Sequence, residues 1–75
     1  MEERMSIDAL ERHLERSGYV LDGDVYRHPH WLGWVTFGRI ADTWLAADAN
    51  DVRQRDHNLA ELLRRVGAPA LVGTP

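Results

Sequence analysis

The sequence predicts a two-layer α+β domain: a helix, then three or four antiparallel strands, then a second helix, an αβββα-like order. Three observations predict it. A helical apolar stripe, Ile7, Leu10 and Leu14, runs between a serine and a glycine. An Asp-Gly pair then separates two short runs of β-forming residues, Tyr19-Val20-Leu21 and Asp24-Val25-Tyr26. A second helical stripe, Leu59, Leu62, Leu63 and Val66, ends at Gly67 and Pro69. One sheet face covered by two helices is the natural two-layer solution for this order.

Taken in order, Ser6 is placed to cap a helix over about residues 7–17. Asp8 and Glu11 lie toward its positive end and Arg16 toward its negative end, as the macrodipole prefers. Gly18 stops it, because glycine reaches the left-handed conformation without steric cost. Asp22-Gly23 suits a type I′ turn, which needs positive φ at both central residues. With those two as the loop, Val20 faces Val25 and Tyr19 faces Tyr26. The strand ends before Pro29, which cannot donate to a ladder.

Residues 31–37 alternate as a strand, with Trp31, Val35 and Phe37 on one face and Leu32, Trp34 and Thr36 on the other. Residues 39–48 read two ways. Ile40, Trp44 and Ala47 fit a helical stripe, and Thr43-Trp44-Leu45 fits a returning strand, the preferred reading. Residues 48–58 are polar and read as a loop or the irregular start of the last helix. Asn58 with Glu61 resembles a capping box there, and Asp51 with Gln54 is a rival earlier start. The domain then covers residues 6–69, with a leader at 1–5 and a tail at 70–75 that is expected to fray apart from Leu71-Val72.

Seventy-five residues make one domain whose core leaves only a few kcal/mol of stability, roughly 3–5. No cysteine is present, so neither a disulfide nor a thiolate metal site can staple it. A partner chain, a second copy or another protein, is the remaining route to extra stability. The net charge is −3, and all nine basic residues are scattered arginines. That is a poor start for gripping a phosphate backbone. No apolar run reaches the eighteen or so residues of a membrane helix, and Met1-Glu2-Glu3-Arg4 is no signal peptide. The expected location is cytoplasmic, with no membrane association and no cofactor.

Few residues offer chemistry. His28-Pro29-His30 is the densest histidine cluster, but only Asp24, Asp56 or His57 could complete a metal site. The paired spacing of specific metal motifs is missing, so the cluster reads as a polar turn around proline. Ser6 and Ser17 sit at helix ends, and no nucleophile elbow, phosphate loop or dinucleotide fingerprint is present. The aromatics say more. Tyr26, Trp31, Trp34, Phe37 and Trp44 fall within nineteen residues and can dominate a small core. Two short helices cover only one sheet face, however, so one tryptophan, with Leu32 or Val35 beside it, is expected to stay exposed. Trp31, Leu32, Trp34, Val35, Tyr26 and Trp44 are therefore the candidate binding residues.

The runs Leu14-Glu15-Arg16-Ser17-Gly18-Tyr19, Tyr26-Arg27-His28-Pro29 and Leu62-Leu63-Arg64-Arg65-Val66-Gly67 resemble the HicA toxin family of bacterial toxin–antitoxin systems. The resemblance covers about Ile7 to Ala68. It implies a double-stranded-RNA-binding-like αβββα fold and mRNA cleavage by a histidine on the sheet. The family's Gly-Ser-His stretch falls at Gly23-Asp24-Val25 here, so its catalytic histidine is missing. His28, three residues on, would have to replace it, with Tyr26 and Arg27 beside it. RNA binding would also ask for one basic patch from Arg12, Arg16, Arg27 and Arg39.

The preferred expectation is a non-enzymatic protein-binding module that uses the aromatic sheet face, with a homodimer as one form. In size, acidity and lack of motifs it looks like the small accessory proteins of phages and mobile elements. Those inhibit host or defence proteins, CRISPR effectors among them. An acidic inhibitor suits a basic, nucleic-acid-binding target. The alternative is a HicA-like RNA-binding protein or ribonuclease using His28.

Overall fold

A computed structural model describes residues 6–73. The leader and the last two residues of the tail lie outside the described residues. Helix α1 (Ile7–Arg16) is followed by strands β1 (Val20–Asp22), β2 (Val25–His28), β3 (Trp31–Gly38), β4 (Thr43–Ala47) and β5 (Arg53–Asp56), then helix α2 (Leu59–Arg65). The strands form one antiparallel sheet in the order β1-β2-β3-β4-β5, so each pairs with its sequence neighbour. No helix among the described residues is long and apolar enough to cross a membrane.

The α+β class and the two flanking helices agree with the sequence; the strand count does not. Residues 39–48 do contain a strand, β4. The polar stretch 48–58 contains another, β5, which was read as loop or helix start. It carries no apolar residue: its helix-side positions, Gln54 and Asp56, are only half-buried, and Asp56 pairs with Arg65 of α2. Its reversal from β4 is held locally, with the Asp48 carboxylate accepting from Asn50 N at 2.9 Å and Val52 N at 3.0 Å.

Both helix caps form as read. Ser6 Oγ accepts from Ala9 N at 3.1 Å, and Asn58 Oδ1 accepts from Glu61 N at 3.1 Å. Helix α1 ends in a Schellman motif: Gly18 N donates to Glu15 O at 3.1 Å and Tyr19 N to Leu14 O at 3.0 Å, with Gly18 at φ +98°. Helix α2 ends the same way at Gly67 and Ala68.

That motif moves the first hairpin. Tyr19 is drawn out of strand pairing into the core, and its hydroxyl donates to Pro69 O at 2.6 Å. The pairs become Asp22↔Val25, Leu21↔Tyr26 and Val20↔Arg27. The turn is therefore Gly23-Asp24 rather than Asp22-Gly23, with positive φ at Gly23 alone, as in a type II′ turn. Val20 faces Arg27, and Tyr19 does not face Tyr26.

The core lies between the helices and one sheet face. Leu14 of α1 and Leu59, Leu62 and Leu63 of α2 pack on Tyr26, Trp31, Val35, Trp44 and Ala46. The tail joins them through Leu71 and Val72. Leu71 is buried, Val72 N donates to Ser17 Oγ at 2.9 Å, and His13 Nε2 donates to Val72 O at 2.6 Å. These contacts fall on Leu71-Val72, the apolar pair set apart from the rest of the tail in the sequence: one apolar side chain and two backbone groups find partners on the domain.

Candidate functional site

Directly paired residues in an antiparallel sheet point to the same side. The pairs Tyr26↔Val35, Val35↔Ala46, Phe37↔Trp44 and His28↔Trp31 place all those side chains on the helix side. The pairs Trp34↔Ala47↔Arg53, Thr36↔Leu45↔Arg55 and Val20↔Arg27 point the opposite way, onto a face that neither helix covers.

The six candidate binding residues accordingly divide. Tyr26, Trp31, Val35 and Trp44 are buried, with Trp44 edge-on to Phe37 at 5.2 Å between ring centroids. Trp31 lies edge-on to Tyr19 at 6.2 Å, and its Nε1 has no hydrogen-bond partner among the described residues. These four are packing residues. Leu32 and Trp34 remain on the open face, Leu32 at 81% exposure and Trp34 half-buried. The alternation read for residues 31–37 puts Trp31 and Val35 on one face and Leu32 and Trp34 on the other, as the pairing does.

A bulge concentrates them. Between the pairs Tyr26↔Val35 and His28↔Trp31, β2 contributes Arg27 alone, whereas β3 contributes Leu32, Gly33 and Trp34. Two large apolar side chains thus stand opposite one arginine. The bulge can form because residue 33 is glycine. A Cβ there would meet Ala47 O at 2.0 Å and the Trp31 indole at 2.5 Å.

Three arginines frame the apolar pair. The Arg53 guanidinium lies 5.6 Å from the Trp34 ring centroid, within cation–π range. It spans the intervening Ala47, which accounts for that alanine's burial on an otherwise open face. Arg27 pairs with Asp22 at 3.2 Å and Arg53 with Asp51 at 3.8 Å. Arg55 lies beside Leu45 and Thr36. The sequence names Arg27 only for the RNA reading and does not single out Arg53, Arg55 or the half-buried Leu45 for binding; the missing signal is β5, which supplies two of the three arginines.

The residues of the ribonuclease alternative do not converge. Tyr26 is buried, and burial, then the carboxylates of Glu11 and Glu15 of α1, raise its pKa. His28 packs edge-on to Tyr19 at 4.9 Å, and its Nδ1 accepts from His30 N at 3.1 Å. Arg27 projects from the opposite sheet face. Arg39 is held toward α1, with Glu11 3.9 Å away, so Arg12, Arg16, Arg27 and Arg39 make no single patch. Among the described residues no group of three or more histidines and carboxylates is arranged to hold a metal ion.

Comparison of the chain with protein-family models, with curated proteins and with solved structures finds no match to any of the three.

Proposed function

We propose that the chain is a non-enzymatic protein-binding module whose docking surface is the open sheet face around Leu32 and Trp34. The observation that carries this reading is the exposure of Leu32 beside Trp34, opposite the single residue Arg27 and framed by Arg53 and Arg55. Apolar centre and charged rim are the anatomy of a protein interface, and tryptophan and arginine are the residue types that most often dominate binding energy there. On this face the three arginines outnumber the two aspartates paired with them, whereas the whole chain is acidic. Three arginines on it suit a partner that brings an apolar knob ringed by carboxylates. A basic, nucleic-acid-binding target, which the net charge of −3 favours, would instead meet carboxylates elsewhere on the surface. An inhibitory role fits the same reading, since an inhibitor needs a surface to occupy and no catalytic group.

The test is capture of partners by the tagged chain, with and without nuclease, alongside Leu32→Asp and Trp34→Ala. Leu32→Asp is the cleaner probe because that side chain is already in water. Support is one stoichiometric protein that survives nuclease and is lost on both substitutions while their circular dichroism stays native. Capture that ignores both folded variants, or that vanishes with nuclease, overturns the reading.

A further inference from the structure

A five-stranded open sheet has two edges, and this one treats them differently. Edge strands present unpaired backbone groups that recruit other strands unless they are blocked. Strand β5 is blocked. The Arg65 guanidinium donates to Arg55 O at 3.2 Å and pairs with Asp56 at 2.8 Å, occupying a backbone acceptor of that strand. Antiparallel self-pairing about Gln54 would also set Arg53 opposite Arg55 of the second copy, a like-charge contact. Neighbouring registers, about Arg53 or Arg55, set an arginine opposite itself.

Among the described residues, strand β1 has no such protection. It carries Val20 at 62% exposure and Leu21 at 54%, and no lysine, arginine or proline. A shallow depression of about 390 Å³, lined by Val20, Leu21, Asp22, Arg27, His28 and Pro29, runs beside it. Its backbone polarity is fixed by the turn. A two-residue loop is closed by a hydrogen-bonded pair, here Asp22↔Val25, and such pairs alternate with non-bonded ones. Val20 and Asp22 therefore direct their amides to β2, and Leu21 directs its N–H and C=O to the free edge.

We propose that β1 pairs antiparallel with β1 of a second copy of this chain, centred on Leu21 opposite Leu21, to join two sheets into one of ten strands. Sheet continuity requires residues of the same face to stand opposite, which leaves registers centred on Val20, Leu21 or Asp22. Centring on Asp22 opposes two carboxylates. Centring on Leu21 joins the two outward-facing backbone groups in a reciprocal pair. It also sets Asp22 of each copy beside Val20 of the other, whose neighbour on β2 is Arg27. The Arg27–Asp22 pair within each chain thereby gains a counterpart across the interface. A three-residue strand makes a small contact, below the roughly 1,000 Å² of stable interfaces, so the dimer is weak and concentration-dependent. This surface is the sheet edge, and it meets the face assigned to a partner protein above at Arg27.

The absence of cysteine provides a direct test. A hydrogen-bonded cross-strand pair has Cα atoms about 5.5 Å apart, within disulfide range. Leu21→Cys should cross-link to a covalent dimer under mild oxidation, and Leu32→Cys should not do so at a comparable rate. In sedimentation equilibrium the wild-type mass should rise with concentration, and Leu21→Lys, with native circular dichroism, should abolish the rise. A wild-type chain that stays monomeric to its solubility limit, with Leu21→Cys uncross-linked, overturns the proposal and leaves the edge to a strand of another protein. Preferential cross-linking of Leu32→Cys also overturns it, moving self-association to the open face. Because Leu32→Asp leaves β1 intact, failure of partner capture and failure of dimerisation are read separately.

Discussion

Adding a single methyl group at Gly33 should be among the most damaging small substitutions in this chain. The Cβ of Gly33→Ala would lie 2.0 Å from Ala47 O, about 1.4 Å short of ordinary contact, and 2.5 Å from the Trp31 indole. Neither neighbour can yield easily. Ala47 O belongs to the backbone of β4, whose Ala47 is flanked by Trp34 and Arg53. Trp31 is packed in the core against Tyr19. Overpacking of this kind costs about 1–3 kcal/mol, and a backbone obstacle puts the cost at the upper end, about 3 kcal/mol. A 75-residue core leaves roughly 3–5 kcal/mol of stability, so this loss is most of it. With a urea slope of roughly 1 kcal/mol per molar for so small a protein, the midpoint should fall by about 3 M. Urea titration followed by fluorescence of Trp31, Trp34 and Trp44 measures it. Gly23→Ala is the control, since nothing lies within 4 Å of its Cβ and only the positive φ is strained, at about 1–2 kcal/mol. A Gly33→Ala midpoint within about 0.5 M of wild type would refute the close approach of β3, β4 and Trp31, and with it the bulge that presents Leu32 and Trp34.

Trp44→Ala should cost about 3–5 kcal/mol and Trp34→Ala clearly less, because only Trp44 is enclosed; thermal melts of the two variants check the division between core and docking face. Tyr19→Phe should cost about 1 kcal/mol at neutral pH through the lost bond to Pro69 O, measured by urea titration. Burial raises the pKa values of Tyr19 and Tyr26, so their contribution is intact below the unfolded value of about 10 and disappears as pH climbs through the folded values. Alkaline melts should show that decline, and Tyr19→Phe should make it shallower. Leu71→Ala should cost about 2–3 kcal/mol and speed hydrogen exchange at the Val72 amide, which would remain protected if the tail were held by its polar contacts alone.

Local chemistry was legible wherever one residue type answers one geometric need. Ser6, Asn58, Gly18 and Gly67 mark both helices at both ends, and the alternation of β3 separates Trp31 from Trp34. Long-range demands were not legible. Asp22-Gly23 is a good turn in isolation, but Tyr19 is needed in the core 50 residues away from Pro69, and the hairpin slides by one position to release it. Strand β5 has no apolar signal because its helix-side positions are the half-buried polar residues Gln54 and Asp56, so no alternation of apolar residues marks it. The docking face follows the same rule: Leu32, Trp34 and Arg27 were visible, and the framing role of Arg53 and Arg55 was not, since their strand was missing from the reading.

The contacts of Pro69 and Val72 also bear on the order in which the chain acquires its shape. Each strand pairs with the next, so the sheet can assemble through short hairpins as the chain lengthens. Helix α1 is different: His13, Ser17 and Tyr19 meet partners 59, 55 and 50 residues further along. Synthesis delivers α1 first, yet its C-terminal end waits for almost the last described residues before its polar groups are matched. A nascent chain therefore carries a half-docked amphipathic helix until Leu71 has emerged. The tail sets the moment at which α1 stops being available to other molecules.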